Sequence, residues 1–165
     1  STLRSGASVV VAHMDLDVMR SVVTIIGSTV EHGARVAVVN SSVRGDKQSA
    51  FLELSDSVIN GTVIVADVDT HALRAGCTCC GSCGAAVFLS DNALNDGAAI
   101  VIDRVFFAPK SLSVLLQMRT ARRVSPRAQI SISNSHVRDR GFAVEIGQIH
   151  RRIANVSILL RNVTV

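Results

Sequence analysis

The stretch Ile130-Ser131-Ile132-Ser133-Asn134-Ser135-His136-Val137 holds the pattern that decides the fold. Ile130 and Ile132 alternate with serines, which is strand periodicity. Two positions after Ile132 comes Asn134, and five after it comes Val137. Asparagine tolerates left-handed backbone angles at little cost and so suits a sharp bend. Val137 then turns an apolar side chain back into the interior.

The same offset recurs along the chain, as Ile25/Gly27/Val30, Val38/Asn40/Val43, Leu54/Asp56/Ile59, Leu89/Asp91/Leu94 and Leu160/Asn162/Val165. A glycine often follows within a few places, at Gly33, Gly45, Gly61, Gly97 and Gly141. Short apolar stretches of the Val9-Val10-Val11 and Val63-Ile64-Val65 kind recur from end to end, mostly 11–16 residues apart, each too short for a helix. A further strand is expected at Val114-Leu115-Leu116. The surrounding stretch 111–123 also carries a helical pattern, with Leu112, Leu115, Leu116 and Arg119 on one face.

A strand, a bend and an inward anchor repeated in this way predict an all-β chain, a parallel, right-handed β-helix or β-solenoid. At about 22–30 residues per coil, five or six coils fit the 165 residues. The competing arrangement is an antiparallel β-sandwich, whose strands also recur at short intervals. The fixed Asn/Asp/Gly offset and the scarcity of Asn-Gly hairpin signals, with Asn60-Gly61 the exception, favour the solenoid.

Composition agrees with a stacked aliphatic interior. Hydrophobic residues make up 48% of the chain and charged residues 18%, which excludes an intrinsically disordered chain. There is no Trp and no Tyr, and only five Phe, so an aromatic binding platform is excluded. No apolar run is long enough to span a bilayer as a helix. The chain starts at Ser1 with no leader pattern and stops within a strand-like run. The expectation is one solenoid segment, residues 1–165, of a larger protein, stacked on neighbouring coils of its parent chain.

The phrases VNSSV (39–43), LSDSVI (54–59), ISISNSHV (130–137) and LLRNVTV (159–165), each followed by a short polar bend, resemble the repeating units of the trypanosome dispersed gene family of very large surface proteins. That resemblance implies a segment of a glycosylated, adhesin-like protein of the cell surface, membrane-associated as a whole, with no catalytic residues to carry over. Host-surface proteins are then expected among its partners.

Two further features point to the secretory pathway. Four of the seven Asn residues, Asn40, Asn60, Asn155 and Asn162, stand in N-x-Ser/Thr and are candidate glycan acceptors. All four cysteines, Cys77, Cys79, Cys80 and Cys83, fall in one run, expected as a loop inserted at about 70–86. An even number of clustered cysteines suits local disulfides in an oxidising compartment. Thiolate binding of Zn²⁺ or Cu⁺ is the alternative, although four ligands on so short a loop must wrap the ion tightly.

Charge is divided unevenly. Residues 106–165 carry ten basic residues against Asp139 and Glu145, while residues 1–105 are net acidic. Arg119, Arg122, Arg123, Arg127, Arg138, Arg140, Arg151 and Arg152 are candidates for a stripe that binds polyanions. Guanidinium groups match sulfate and carboxylate geometry, so sulfated or acidic glycans are the expected ligands. Nucleic acid is not expected, since stacking aromatics and known motifs are missing.

Catalytic constellations are weak. Asp15/Asp17 and Asp67/Asp69 are the closely spaced carboxylate pairs, and i, i+2 spacing on a strand places both on one face. Ca²⁺ coordination is a second use for such pairs. The five histidines share no metal-ligand spacing. No metal or cofactor is expected. The sequence therefore predicts a non-enzymatic adhesion or display scaffold, extracellular or on the cell surface. The alternative is a carbohydrate-active β-helix enzyme, a lyase or hydrolase.

Overall fold

The computed structural model describes residues 1–18, 21–45, 49–70, 84–107, 113–137, 142–149 and 157–165. Strands follow one another through these residues with no helix. They are β1 (Thr2–Leu3), β2 (Ser8–Ala12), β3 (Asp15–Val18), β4 (Val23–Ile26), β5 (Thr29–Val30), β6 (Arg35–Gly45), β7 (Ser49–Ser55) and β8 (Val58–Ile59). Then come β9 (Thr62–Thr70), β10 (Gly84–Leu94), β11 (Ala99–Phe107), β12 (Ser113–Val124), β13 (Gln129–Ser133), β14 (His136–Val137), β15 (Phe142–Ile149) and β16 (Ser157–Arg161).

Every pairing among them is parallel, and each strand pairs with the strand one coil away. An antiparallel sandwich is thereby excluded, and the chain is a β-solenoid. One sheet runs β16-β13-β11-β9-β6-β2; the other carries β4, β7, β10, β12 and β15 with the short β1, β5 and β8 at its end. Ser8, Arg35, Thr62, Ala99, Gln129 and Ser157 occupy one register position, at steps of 27, 27, 37, 30 and 28 residues.

The solenoid has about four turns, slightly fewer than the five or six expected. Each coil needs more than two strand-and-bend units, because β5 and β8 add a short third side. Four strands of one sheet, β6, β9, β11 and β13, have neighbours on both sides, while among the described residues β2 and β16 have a neighbour on one side.

Register turns the sequence repeat into columns. Val36, Val63, Ile100 and Ile130 stack in one interior column, and Val38, Val65, Ile102 and Ile132 in the next. Leu52, Val87 and Leu116 face them from the other sheet, with Leu54, Leu89 and Met118 alongside. All are at most 3% exposed, and a fully buried aliphatic side chain contributes about 1.5–3 kcal/mol. Phe51 and Phe107 add a stacked aromatic pair, with centroids 5.5 Å apart and planes at 11°.

The described part of the stretch 111–123, from Ser113 on, is settled by pairing, not by propensity; Leu112 lies outside the described residues. β12 is a strand with parallel neighbours on both sides, β10 and β15, and the helical alternative is wrong. Leu115 and Leu116 are both buried, which is why the apolar spacing there mimics a helix.

All six expected bend residues have left-handed backbone: Gly27 (φ 57°), Asn40 (47°), Asp56 (52°), Asp91 (53°), Asn134 (48°) and Asn162 (50°). His13, Asp67 and Arg104 join them at the same offset after Val11, Val65 and Ile102. Among the anchors, Val30, Ile59, Leu94 and Val137 are buried; Val165, in the last coil, is 63% exposed.

A left-handed residue turns the backbone out of the ladder and strands an N–H group at each corner. The next coil supplies the acceptor. The N–H groups of Ser28, Val105 and Met14 donate to the hydroxyls of Ser57 (3.2 Å), Ser135 (3.1 Å) and Ser41 (3.4 Å). Ser57 N–H in turn donates to Asn92 Oδ1 at 2.8 Å, and Asp91 N–H to Thr120 Oγ1 at 3.0 Å. Each of the three serines also donates to the carbonyl two residues back, at 2.7–2.8 Å. An unpaired buried amide costs several kcal/mol in an apolar setting, so these contacts hold successive coils in register.

The third corner is a β-turn at residues 4–7, 31–34, 95–98 and 125–128, closed by Ala N–H to carbonyl bonds of 2.9–3.1 Å. In the second coil the link from Ile59 to Thr62 is shorter and Asn60-Gly61 replaces the turn; it is not a hairpin. A Cβ on Gly61 would sit 2.5 Å from the carbonyl oxygens of Glu31 and Ala34, so only glycine fits.

Replacing Ser57, which is fully buried, by alanine removes an acceptor from Ser28 and a donor from the Ser55 carbonyl. Urea unfolding of Ser57→Ala is expected to show a loss of about 1–3 kcal/mol. A loss of only a few tenths would mean that these hydroxyls do not hold the corners.

Candidate functional site

Polar chemistry concentrates on the corners, because the bend residues stack outside the core. Along one corner the left-handed residues are His13, Asn40, Asp67, Arg104, Asn134 and Asn162. The side chains of Asp67, Arg104, Asn134 and Asn162 bond along the solenoid axis. Arg104 donates to both oxygens of Asp67, Nε at 2.5 Å and Nη2 at 2.8 Å, and also pairs with Asp103. Asp103 Oδ1 accepts from Ser133 Oγ (2.7 Å) and Asn134 Nδ2 (3.0 Å), and Asn134 Oδ1 accepts from Asn162 Nδ2 (3.0 Å).

This network bears on the carboxylate pairs. The hydrogen bond from Arg104 holds the Asp67 carboxyl below its ordinary pKa; burial opposes this, and the Arg104 charge adds a lesser lowering. Arg104 is raised in turn by Asp67 and Asp103. Asp67 is therefore ionised near neutrality with both oxygens engaged. A general acid must carry a proton there, which Asp67 does not. Asp69 is exposed, and Asp15 Oδ1 accepts from Ser42 Oγ at 3.3 Å. Among the described residues no group of three or more His, Cys, Asp or Glu side chains is placed to hold a metal ion.

The described arginines of the expected stripe lie along one coil, not up the stack. Arg119, Arg122 and Arg123 all belong to β12, and Arg127 follows at the next β-turn. Arg122 reaches back across two coils, donating Nε to the Asp91 carbonyl (2.6 Å) and Nη2 to Asp56 Oδ1 (2.7 Å). Arg127 lies 3.8 Å from Asp96 and is 81% exposed. Arg119 and Arg123 are exposed with no ion pair among the described residues. Arg138, Arg140, Arg151 and Arg152 lie outside the described residues.

Of the sequons, Asn40 and Asn162 sit exposed at left-handed corners. Asn60 is half-buried in the shortened corner, between the turns 31–34 and 95–98. Asn155 and the four cysteines, Cys77, Cys79, Cys80 and Cys83, lie outside the described residues. The strands flanking the cysteine run extend to Thr70 and resume at Gly84, where Gly84 and Ala85 already pair with Ser49 and Ala50.

The corner network itself was not anticipated. The signal for Arg104 was present: it stands two after Ile102, and Phe107 stands five after, but a long basic residue, unlike Asn, Asp or Gly, does not look like a turn former. The serine following Asn40, Asp56 and Asn134 was equally visible and marks the hydroxyls that serve the stranded N–H groups.

No known protein family, curated protein or solved structure matches the chain.

Asp67 has a lowered pKa in the folded state, so its pairing with Arg104 stabilises the protein above the ordinary carboxylate value. That contribution is lost as pH falls through the folded value. Arg104→Gln is expected to raise the Asp67 titration towards about 3.9 in a carboxyl-detected NMR experiment. The stability difference from wild type should be full at neutral pH and vanish in acid. A difference that persists unchanged below the folded pKa would show that the ion pair is not its source.

Proposed function

We propose that the chain is a non-enzymatic β-solenoid segment acting as an adhesion or display scaffold on an extracellular or cell surface. Its ligands are sulfated or acidic glycans, contacted by arginines of one coil. The observation that carries this reading is the division of labour among those arginines. Arg122 is spent on Asp56 and the Asp91 carbonyl, whereas Arg119 and Arg123 stand exposed without an ion pair among the described residues. Exposed guanidinium groups on a rigid strand present planar donors to sulfate or carboxylate without a folding cost.

The scaffold reading is supported by how the corners are used. Asp67, the best-placed candidate acid, is bound by Arg104, so it serves the stack and not a substrate. Secretory placement is supported by the exposed sequons at Asn40 and Asn162 and by the clustered cysteines, read as disulfides. The repeat phrases resembling the trypanosome surface family support a larger, membrane-associated parent protein, with host-surface proteins as further partners.

On a heparin column the protein is expected to be retained and to elute earlier as salt rises, since exposed charges are screened. Arg119→Ala combined with Arg123→Ala should elute at clearly lower salt, and Arg122→Ala should shift it less. Unchanged elution of the double variant would remove the glycan reading, and turnover of an acidic polysaccharide lost in Asp67→Asn would overturn the scaffold reading. The compartment is checked by counting thiols without reductant. None is expected to react, and four reactive thiols with bound zinc would replace the disulfide assignment.

A further inference from the structure

Between Leu89 and Ala93 the ladder from β10 to β12 changes register three times. Leu89 pairs with Met118 and Ser90 with Thr120, so Arg119 has no counterpart in β10. Asn92 pairs with Ala121 and Ala93 with Arg123, which leaves out Asp91 on one strand and Arg122 on the other. Over this stretch β12 holds two residues outside the ladder, and both are arginines. The earlier coils stack here in step, Ile25-Ile26 on Leu54-Ser55 and these on Leu89-Ser90. An inserted residue of this kind bends the strand and re-aims the side chain it carries.

The two inserted arginines are used differently. Arg122 donates to the carbonyl of Asp91, the residue left out of β10, and to Asp56. Arg119 is exposed, and its side chain has no hydrogen bond or ion pair among the described residues.

The neighbouring coils nevertheless hold the Arg119 bulge in place. In β15, Gly147 lies opposite Arg119, between Ile146 and Gln148, which pair with Met118 and Thr120. A Cβ on Gly147 would stand 2.6 Å from the Arg119 carbonyl oxygen, so any side chain there would push on the β12 backbone at the insertion. On the β10 side the Thr120 hydroxyl accepts the Asp91 N–H at 3.0 Å and lies 3.4 Å from Ser90 Oγ. Met118 before the insertion is 3% exposed and Ala121 after it 4%, so the core anchors both flanks. An unpartnered guanidinium on so fixed a backbone presents its planar donors with little left to order on binding.

Resting on the glycan reading, we propose that Arg119 is its anchoring residue, taking one sulfate or carboxylate of the glycan in a bidentate contact. Gly147 and Thr120 are positioning residues that keep the bulge. Arg123, which stands in the regular ladder beside Ala93, adds attraction by charge alone.

Affinity for immobilised heparin at fixed salt separates a built contact from diffuse charge. Arg119→Lys keeps the charge and removes the planar fork, and a loss of about tenfold is expected. Arg123→Lys should change affinity by no more than about twofold. Gly147→Ala should weaken the wild type and Arg123→Ala, but leave Arg119→Ala unchanged. A general loss of structure would weaken all three. If circular dichroism shows Gly147→Ala unfolded, Thr120→Val, which removes the acceptor for Asp91, goes through the same comparison. Equal losses for Arg119→Lys and Arg123→Lys, or a positioning variant that still weakens Arg119→Ala, would overturn the proposal and leave the glycan reading standing. Unchanged affinity on combining Arg119→Ala with Arg123→Ala would remove the glycan reading and this inference with it.

Discussion

The structure depends on finding partners for the backbone groups that each bend strands. A parallel ladder satisfies its own amides only while the backbone stays extended, and every coil must turn. The left-handed residue makes the turn, and a hydroxyl or amide from the adjacent coil meets the N–H released there. Because donor and acceptor come from different coils, each corner bond also fixes the register between them. One residue of slippage would lose every corner at once and carry the Val, Ile and Leu columns from the interior to the surface.

That constraint also shapes what remains for binding. Side chains on the corners are bound to one another: Asn162 to Asn134, Asn134 to Asp103, Arg104 to Asp67 and Asp103. The charge proposed to meet ligands sits instead on a strand, at Arg119 and Arg123. The two follow one another along a single coil, so the proposed ligand would cross the solenoid axis and not run along it.

Much of the fold was legible because its rule is local. The offset from Ile132 to Asn134 to Val137 needs no long-range information, and the same offset located six left-handed residues. The strand expected at Val114-Leu115-Leu116 is present as β12, although the local signal there was ambiguous. Around Leu115 and Leu116 two adjacent inward residues imitated a helical face, and Asn60-Gly61 imitated a hairpin although it is a corner lacking its β-turn. The candidate site was less legible. Arg122 and Arg119 look alike in sequence, and only one of them reaches an Asp that lies 66 residues away.

The sequence by itself determined the strand period, the bends and the aliphatic interior, since these follow from side-chain alternation and from which residues tolerate a left-handed backbone. Only the tertiary structure decided which polar groups are free. Parallel stacking sets residues one or two coils apart side by side, so Asp67 meets Arg104, 37 residues on, and Asp56 meets Arg122, 66 residues on. Whether a charged side chain is a structural partner or an exposed contact depends on that register, which no single repeat contains.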